Sequence, residues 1–142
     1  MEQLSEFVSN NVFLFIAWLA VFMLLLKEEY AHQTNKAVQL QPSQATRLMN
    51  NNSDAVVLDI RSADEFSKGH INRALNIPLA DLKSNTDKLD KYRGHPVLIY
   101  CNSGSTSMRA GKILQDKGFD NINSLAGGVS GWKEANLPLT KK

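Results

Sequence analysis

Cys101 is the only cysteine in the chain, so no disulfide can close within it and nothing in its fold depends on an oxidising compartment. Sixteen Lys and Arg against fourteen Asp and Glu leave a formal charge of only +2. No dense Lys/Arg run interrupts that balance, which takes nucleic acid off the list of expected partners. The three histidines, His32, His70 and His95, are scattered, so no metal site is expected, and no cofactor is expected either. Internal repeats and low-complexity tracts are missing as well.

What is present is unevenly spread. The averages, 43% hydrophobic and 21% charged, are those of a globular chain, and 142 residues suffice for one ordinary domain plus something extra. Yet residues 12–26 (VFLFIAWLAVFMLLL) contain no charged or strongly polar side chain. Fifteen such residues fall short of the roughly 20 needed to span a bilayer. Counting from Phe7, with only Ser9, Asn10 and Asn11 intervening, reaches 20.

A cleaved signal peptide would start with basic residues and end at a small-residue site; here Glu2 and Glu6 precede the run and Lys27-Glu28-Glu29-Tyr30 follow it. A buried core helix would be amphipathic, and this one is apolar all round. The sequence therefore predicts an uncleaved N-terminal membrane anchor over residues 1–26, transmembrane from about 7 to 26. Lys27 and Lys36 lie after the run and no Lys or Arg lies before it. The positive-inside rule then makes it a single-pass protein of the inner (cytoplasmic) membrane, its C-terminal domain facing the cytoplasm. Residues 27–36 (KEEYAHQTNK) read as a short polar linker, open to continuing the apolar helix for a turn or two, and residues 37–142 as the domain.

In that domain apolar runs alternate with helical patterns, which predicts an α/β fold with a parallel sheet and right-handed crossovers. Residues 37–40 read as a short strand. Pro42 starts a helix that runs to Met49. Residues 55–60 (AVVLDI) form a continuous apolar run, as expected of a parallel strand covered on both faces. Ser62 and Glu65 make a capping box for a short helix ending near Gly69. Residues 75–77 read as a strand stopped by Pro78, and residues 79–89 as a helix carried by Leu79, Leu82 and Leu89. Residues 97–100 are the strongest strand, residues 106–117 a helix closed by Gly118, residues 122–125 the last strand, and residues 129–134 a short helix around Trp132.

Sites in such sheets form at the carboxyl ends of strands. Two strands here end in chemistry, one in Asp59-Ile60-Arg61 and the other in Cys101. The loop after Cys101 (Asn102, Ser103, Gly104, Ser105, Thr106, Ser107) turns from strand into helix. Such a loop aims several N–H groups and the positive end of a helix at one atom, which lowers the pKa of a thiol placed there. The bland alternative is a small buried residue ending a strand.

Several short motifs occur in order: Asp59-Ile60-Arg61, Glu65-Phe66, Gly69-His70-Ile71, Ala74-Leu75-Asn76-Ile77-Pro78, Cys101-Asn102-Ser103-Gly104, and Leu125-Ala126-Gly127-Gly128-Val129-Ser130-Gly131-Trp132. Over residues 37–140 the chain resembles a rhodanese-type single-domain protein, and with its N-terminal anchor it is similar to a bacterial membrane-associated subgroup. The resemblance implies a rhodanese-like parallel sheet flanked by helices. It also implies that Cys101 accepts a sulfane sulfur from a small donor such as thiosulfate, and that a thiophilic acceptor removes it. The loop residues 102–107 would cradle the sulfur and its anions.

The loop departs from that pattern in one respect. Active rhodaneses usually carry an arginine where Thr106 stands, and often a basic residue where Asn102 stands; this loop has no cation. Arg109, a turn into the following helix, and Arg61, at the neighbouring strand end, are the nearest substitutes. Thiosulfate is then expected to be a poor donor. A related phosphatase would need an arginine at Ser107 to hold phosphate bidentately, and it is absent. The other open reading is a weak or inactive module that docks beside a membrane protein. Asp59 reads as structural rather than catalytic, Arg61 is open between the two, Glu65 reads as a cap, His70 as a structural signature, and Trp132 as core.

Overall fold

The computed structural model describes residues 6–7, 9–34 and 37–141. The chain divides into two compact units, Met1–Asn35 and Lys36–Lys142. Of the residues on which the sequence reading relied, Glu2, Val8, Lys36 and Lys142 lie outside the described residues.

The first unit holds one long helix, α1 (Val12–Thr34, 23 residues). Asn11 is a turn residue rather than a helical one, and its side-chain amide donates to the Phe7 carbonyl at 2.9 Å. The expected continuous span from Phe7 is corrected accordingly. From Val12 the uninterrupted apolar stretch is fifteen residues and ends at Leu26, about 22 Å of helix against a hydrocarbon core of about 30 Å. Among the described residues no helix is long and apolar enough to cross a membrane. Residues 27–34 continue α1 as helix, a continuation the sequence left open. Along α1 the rings of Phe15, Trp18 and Phe22 form a ladder, with centroids 6.1 and 5.3 Å apart, and Phe13, Ile16, Leu19 and Leu24 are exposed.

The second unit is the α/β domain. Its elements are β1 (Val38–Leu40), α2 (Pro42–Asn51), β2 (Val56–Asp59), α3 (Ala63–Lys68), β3 (Ala74–Asn76), α4 (Leu79–Leu82), a 3-10 helix (Thr86–Tyr92), β4 (Val97–Tyr100), α5 (Ser107–Asp116), β5 (Ile122–Leu125) and α6 (Gly128–Glu134). The five strands form one sheet in the order β1-β5-β4-β2-β3, and every pairing is parallel, as expected.

The central strands β2, β4 and β5 are buried throughout, which explains their unbroken apolar character. Because side chains alternate across a sheet, the core divides into two layers. Val56, Leu58, Ile60, Val97, Ile99 and Cys101 face Ala110 and Leu114 of α5, together with Leu82 and Leu89. Val57, Leu98 and Tyr100 face Ala45 of α2 and Val129 and Trp132 of α6. Cys101 therefore continues the phase of Val97 and Ile99, toward the α5 layer, while Tyr100 points the other way. That alternation of one residue decides which strand-end group meets the loop.

The helix expected over residues 79–89 is two pieces. The Asn85 side-chain amide donates to the Asp81 carbonyl at 2.9 Å, and the backbone N–H groups of Ser84 and Asn85 do so at 3.1 and 3.0 Å. A local side-chain bond of this kind competes with helix propagation, and the chain restarts as a 3-10 turn at Thr86. Elsewhere the expected starts and stops hold. Pro42 is the first residue of α2, the Ser62/Glu65 capping box begins α3, and Gly118 takes a positive φ of 88° after α5.

Candidate active site

The site is built on the loop between β4 and α5. Gly104 donates its N–H to Cys101 Sγ at 3.0 Å. Burial of the thiol raises its pKa, but hydrogen bonds from the Thr106 hydroxyl and from the N–H groups of Thr106, Ser107 and Gly104 outweigh it, and the net shift is downward. Thr106 and Ser107 are where α5 begins, so the sulfur also lies at the positive end of a ten-residue helix. A thiol in this setting forms its reactive thiolate more readily than a free cysteine does.

Two neighbouring structures hold the loop in shape. On one side the buried Ser107 hydroxyl donates to the Gly104 carbonyl at 2.9 Å and meets the buried Ser124 hydroxyl of β5 at 2.6 Å. Tying down the Gly104 carbonyl helps hold that residue's N–H toward the sulfur. On the other side the start of α6 grips the loop backbone: Val129 donates to the Cys101 carbonyl at 2.9 Å and Ser130 to the Asn102 carbonyl at 3.1 Å. That approach is possible only because residue 128 is glycine. Its φ is +56°, and a Cβ there would lie 2.3 Å from the Cys101 carbonyl oxygen. Gly104, with φ +89°, is less tightly enclosed: a Cβ there would lie 3.1 Å from the Gly127 nitrogen and 3.3 Å from the Leu125 carbonyl oxygen.

Of the expected site residues, Cys101, Gly104, Thr106 and Ser107 come together around the sulfur. Ser103 and Ser105 are exposed and bond to each other at 3.1 Å. Asn102 turns outward: its side-chain amide donates to Glu65 Oε1 at 2.6 Å. The other oxygen of Glu65 accepts from the Ser62 N–H and hydroxyl at 3.2 and 3.0 Å. Those bonds, that from Asn102 foremost, lower the Glu65 pKa, so its carboxylate stays ionised at neutral pH. Glu65 is thus both a helix cap, as expected, and a member of the rim, which the sequence reading missed.

The two arginines go elsewhere. Arg61 is 8% exposed; its Nη2 lies 2.6 Å from Asp59 Oδ2 and also donates to the Gly69 carbonyl at 2.8 Å. The guanidinium carbon sits 5.6 Å from the centroid of the Tyr100 ring. Burial opposes its charge, but the Asp59 carboxylate more than offsets this and its pKa is raised. Burial likewise pushes the Tyr100 hydroxyl well above its ordinary value, assisted by Asp59. Arg109 lines an open groove of about 410 Å³ with Leu79, Ala80, Lys83 and Ile113. His70 stacks on Phe66 at 3.8 Å, bonds to its carbonyl through Nδ1, and pairs its backbone with Thr140. Trp132 is buried and donates to the Pro138 carbonyl. Both fill structural roles, as expected.

Nothing in the sequence hints at the bond between Glu65 and Asn102, because 37 positions separate them. Ser124 was equally hidden, and Gly128 was visible only as part of a motif.

Comparison with known proteins agrees with this geometry. The family model for the rhodanese-like domain matches residues 41–135. The uncharacterized protein YibN of Escherichia coli K12 is 34% identical over 142 residues, spanning 99% of each chain. The thiosulfate sulfurtransferase GlpE of Coxiella burnetii is 38% identical over 80 residues, 56% of this chain and 73% of its own. A crystal structure of a rhodanese-related protein from Thermoplasma volcanium superposes with a TM-score of 0.65 at 27% identity, covering 74% of this chain and 99% of that one. A parallel sheet that delivers one cysteine into a loop of N–H donors, together with these matches, assigns the chain to the rhodanese-like domain family.

Proposed function

We propose that the protein is a sulfurtransferase or persulfide carrier whose nucleophile is Cys101. The observation that carries this reading is the thiol itself, held below its ordinary pKa by the Thr106 hydroxyl and three backbone N–H groups against the opposing effect of burial. In the first half-reaction the Cys101 thiolate attacks the outer sulfur of the donor. With thiosulfate, the Sγ–S bond forms as the S–S bond to the sulfonate breaks, leaving a persulfide anion on Cys101 and releasing sulfite. No external oxidant or reductant is needed. The loop N–H groups stabilise the thiolate before the step and the persulfide anion after it. A thiophilic acceptor then removes the outer sulfur and regenerates the thiolate.

Intact mass after incubation with a sulfane-sulfur donor tests this directly. A gain of about 32 Da, the mass of one sulfur atom, is expected on the wild type and not on Cys101→Ser. No gain on the wild type, or the same gain on both, overturns the reading.

The lack of any cation in residues 102–107 favours one alternative, a module that docks beside a membrane protein without turnover. Pull-downs with wild type and Cys101→Ser separate the two, since a docking module keeps its partner without the thiol.

We also infer that the N-terminal unit attaches the domain to the inner membrane with the domain in the cytoplasm. Support comes from the exposed apolar side chains of α1 and from Lys27 following the apolar run with no Lys or Arg before it. Spanning the bilayer as a single pass would require the helix to run unbroken through the turn at Asn11. Membrane fractionation and a topology reporter fused after Lys142 test the inference; a periplasmic signal or a freely extractable protein overturns it.

A further inference from the structure

We propose that the Glu65–Asn102 pair makes the rim of the Cys101 loop a charge filter, selecting organic persulfide donors that carry an ammonium group and disfavouring thiosulfate and other anionic donors. This rests on the reading of Cys101 as a sulfur acceptor and names its donor class.

The argument is a charge balance at the mouth of the loop. Asn102 follows the nucleophile directly in the chain, and its amide holds a carboxylate oxygen of Glu65 at 2.6 Å. Glu65 is fixed from the other side by Ser62, so the carboxylate is anchored and not free to swing away. The buried cation Arg61, whose charge also contributes the smallest part of the lowering at Glu65, is already matched by Asp59 at 2.6 Å and by the Gly69 carbonyl. Arg109 lines the separate groove with Lys83. The loop contributes only N–H and hydroxyl dipoles. When Cys101 is a thiolate, the mouth therefore holds two negative charges and no cation of its own within the loop.

A dianion approaching that mouth is repelled. A donor R–S–SH whose R group ends in an ammonium finds in Glu65 a counter-charge bonded to the residue that follows the nucleophile. The step balances as before: the Cys101 thiolate attacks the outer sulfur, the Sγ–S bond forms, the donor's own S–S bond breaks, and the R–S⁻ released takes the proton from the new, more acidic persulfide.

Two matched donors isolate the charge. 2-Aminoethyl persulfide and 2-carboxyethyl persulfide are of similar size and react by the same step. Loading of the full-length protein is followed by intact mass at low and high salt. For the wild type, the ammonium donor is expected to load Cys101 about three- to ten-fold faster at low salt, the scale of a single exposed charge pair. Salt at 0.5 M should shrink that ratio toward one. Glu65→Gln, which keeps an acceptor for the capping box, should shrink it at low salt as well. Asn102→Arg, which pairs the carboxylate with a cation, should raise loading from thiosulfate. Equal rates for the two donors on the wild type, or a ratio unchanged in Glu65→Gln, overturn the filter while leaving the nucleophile intact. If no donor loads Cys101 at all, the sulfur-acceptor reading fails and the filter falls with it.

Discussion

The adjacent strands β2 and β4 end side by side, Asp59 in register with Tyr100, and they handle charge in opposite ways. At the end of β2 a full anion, Asp59, meets a full cation, Arg61, at 2.6 Å, with side chains 0% and 6% exposed. Two amides complete the arrangement: Arg61 donates its backbone N–H to Asp59 Oδ1, and Asn76 donates to the Arg61 carbonyl. At the end of β4 the anion, when it forms, is a thiolate met only by dipoles. A buried anion already matched by a cation offers a substrate no unpaired charge. A sulfur held by N–H groups can form a new bond to sulfur while keeping the donors that stabilise it. Neighbouring strand ends on one sheet edge can thus be structural and chemical, and the manner of charge compensation distinguishes them.

The comparison is broken most directly at Arg61. Arg61→Met leaves the Asp59 carboxylate buried without its partner, and a stability loss of about 3–5 kcal/mol is expected in urea titration, a large share of an ordinary domain's stability. Adding Asp59→Asn should recover part of it. Thiolate reactivity of the protein that remains folded should change little. If Arg61→Met is tolerated but Cys101 reactivity collapses, the β2 end belongs to the chemistry after all.

Gly128→Ala strikes the other strand end through its backbone. A side chain there meets the Cys101 carbonyl oxygen at 2.3 Å and must adopt a φ of +56°. A cost of about 2–3 kcal/mol is expected, with slower alkylation of Cys101 in the folded protein, because α6 can no longer hold the loop carbonyls. Loss of stability with unchanged alkylation would show that α6 supports the fold and not the loop.

How much of this was legible in the sequence follows from the range of the forces involved. The Ser62/Glu65 box, Pro42 and Gly118 act within a few residues, and all three do in the structure what the sequence announces. Strands buried on both faces betray themselves as unbroken apolar runs, so β2 and β4 could be read, and with them the strand end carrying Cys101. The break between Leu82 and Thr86 was missed because leucine spacing outweighed the turn chemistry of Ser84-Asn85. Arg61 was open between two roles, since only the fold reveals that Gly69 and Tyr100 complete its surroundings. Contacts across the sheet, Asn102 to Glu65 and Ser107 to Ser124, leave no periodic trace in a single sequence.

Within the loop, Thr106→Val removes a hydroxyl hydrogen bond to the sulfur while conserving shape. A hydrogen bond to a charged group contributes about 1.5–3 kcal/mol, and about 1.4 kcal/mol is a factor of ten. Alkylation of Cys101 at neutral pH should therefore slow by about ten-fold or more, with its pH midpoint moving upward and global stability nearly unchanged. An unmoved midpoint would mean that the backbone N–H groups alone set the thiol, and would shift the contrast between the two strand ends from side chains to main chain.

The smallest expected effect is a pH dependence of folding. The Cys101 thiol titrates below its ordinary value of 9.0 in the folded protein and near that value once unfolded. Between the two, the unfolded chain still binds a proton that the folded chain has released, so stability rises with pH across that window. The gain is complete above 9.0 and is lost as pH falls through the folded value. It amounts to about 1.4 kcal/mol for each unit separating them. Cys101→Ser has no such titration, so the difference in unfolding free energy between wild type and variant should climb through this window and be flat on either side. Arg61, whose pKa is raised, keeps its charge throughout that range. A difference that stays flat, or that falls with rising pH, would show that burial and not the loop donors governs the sulfur.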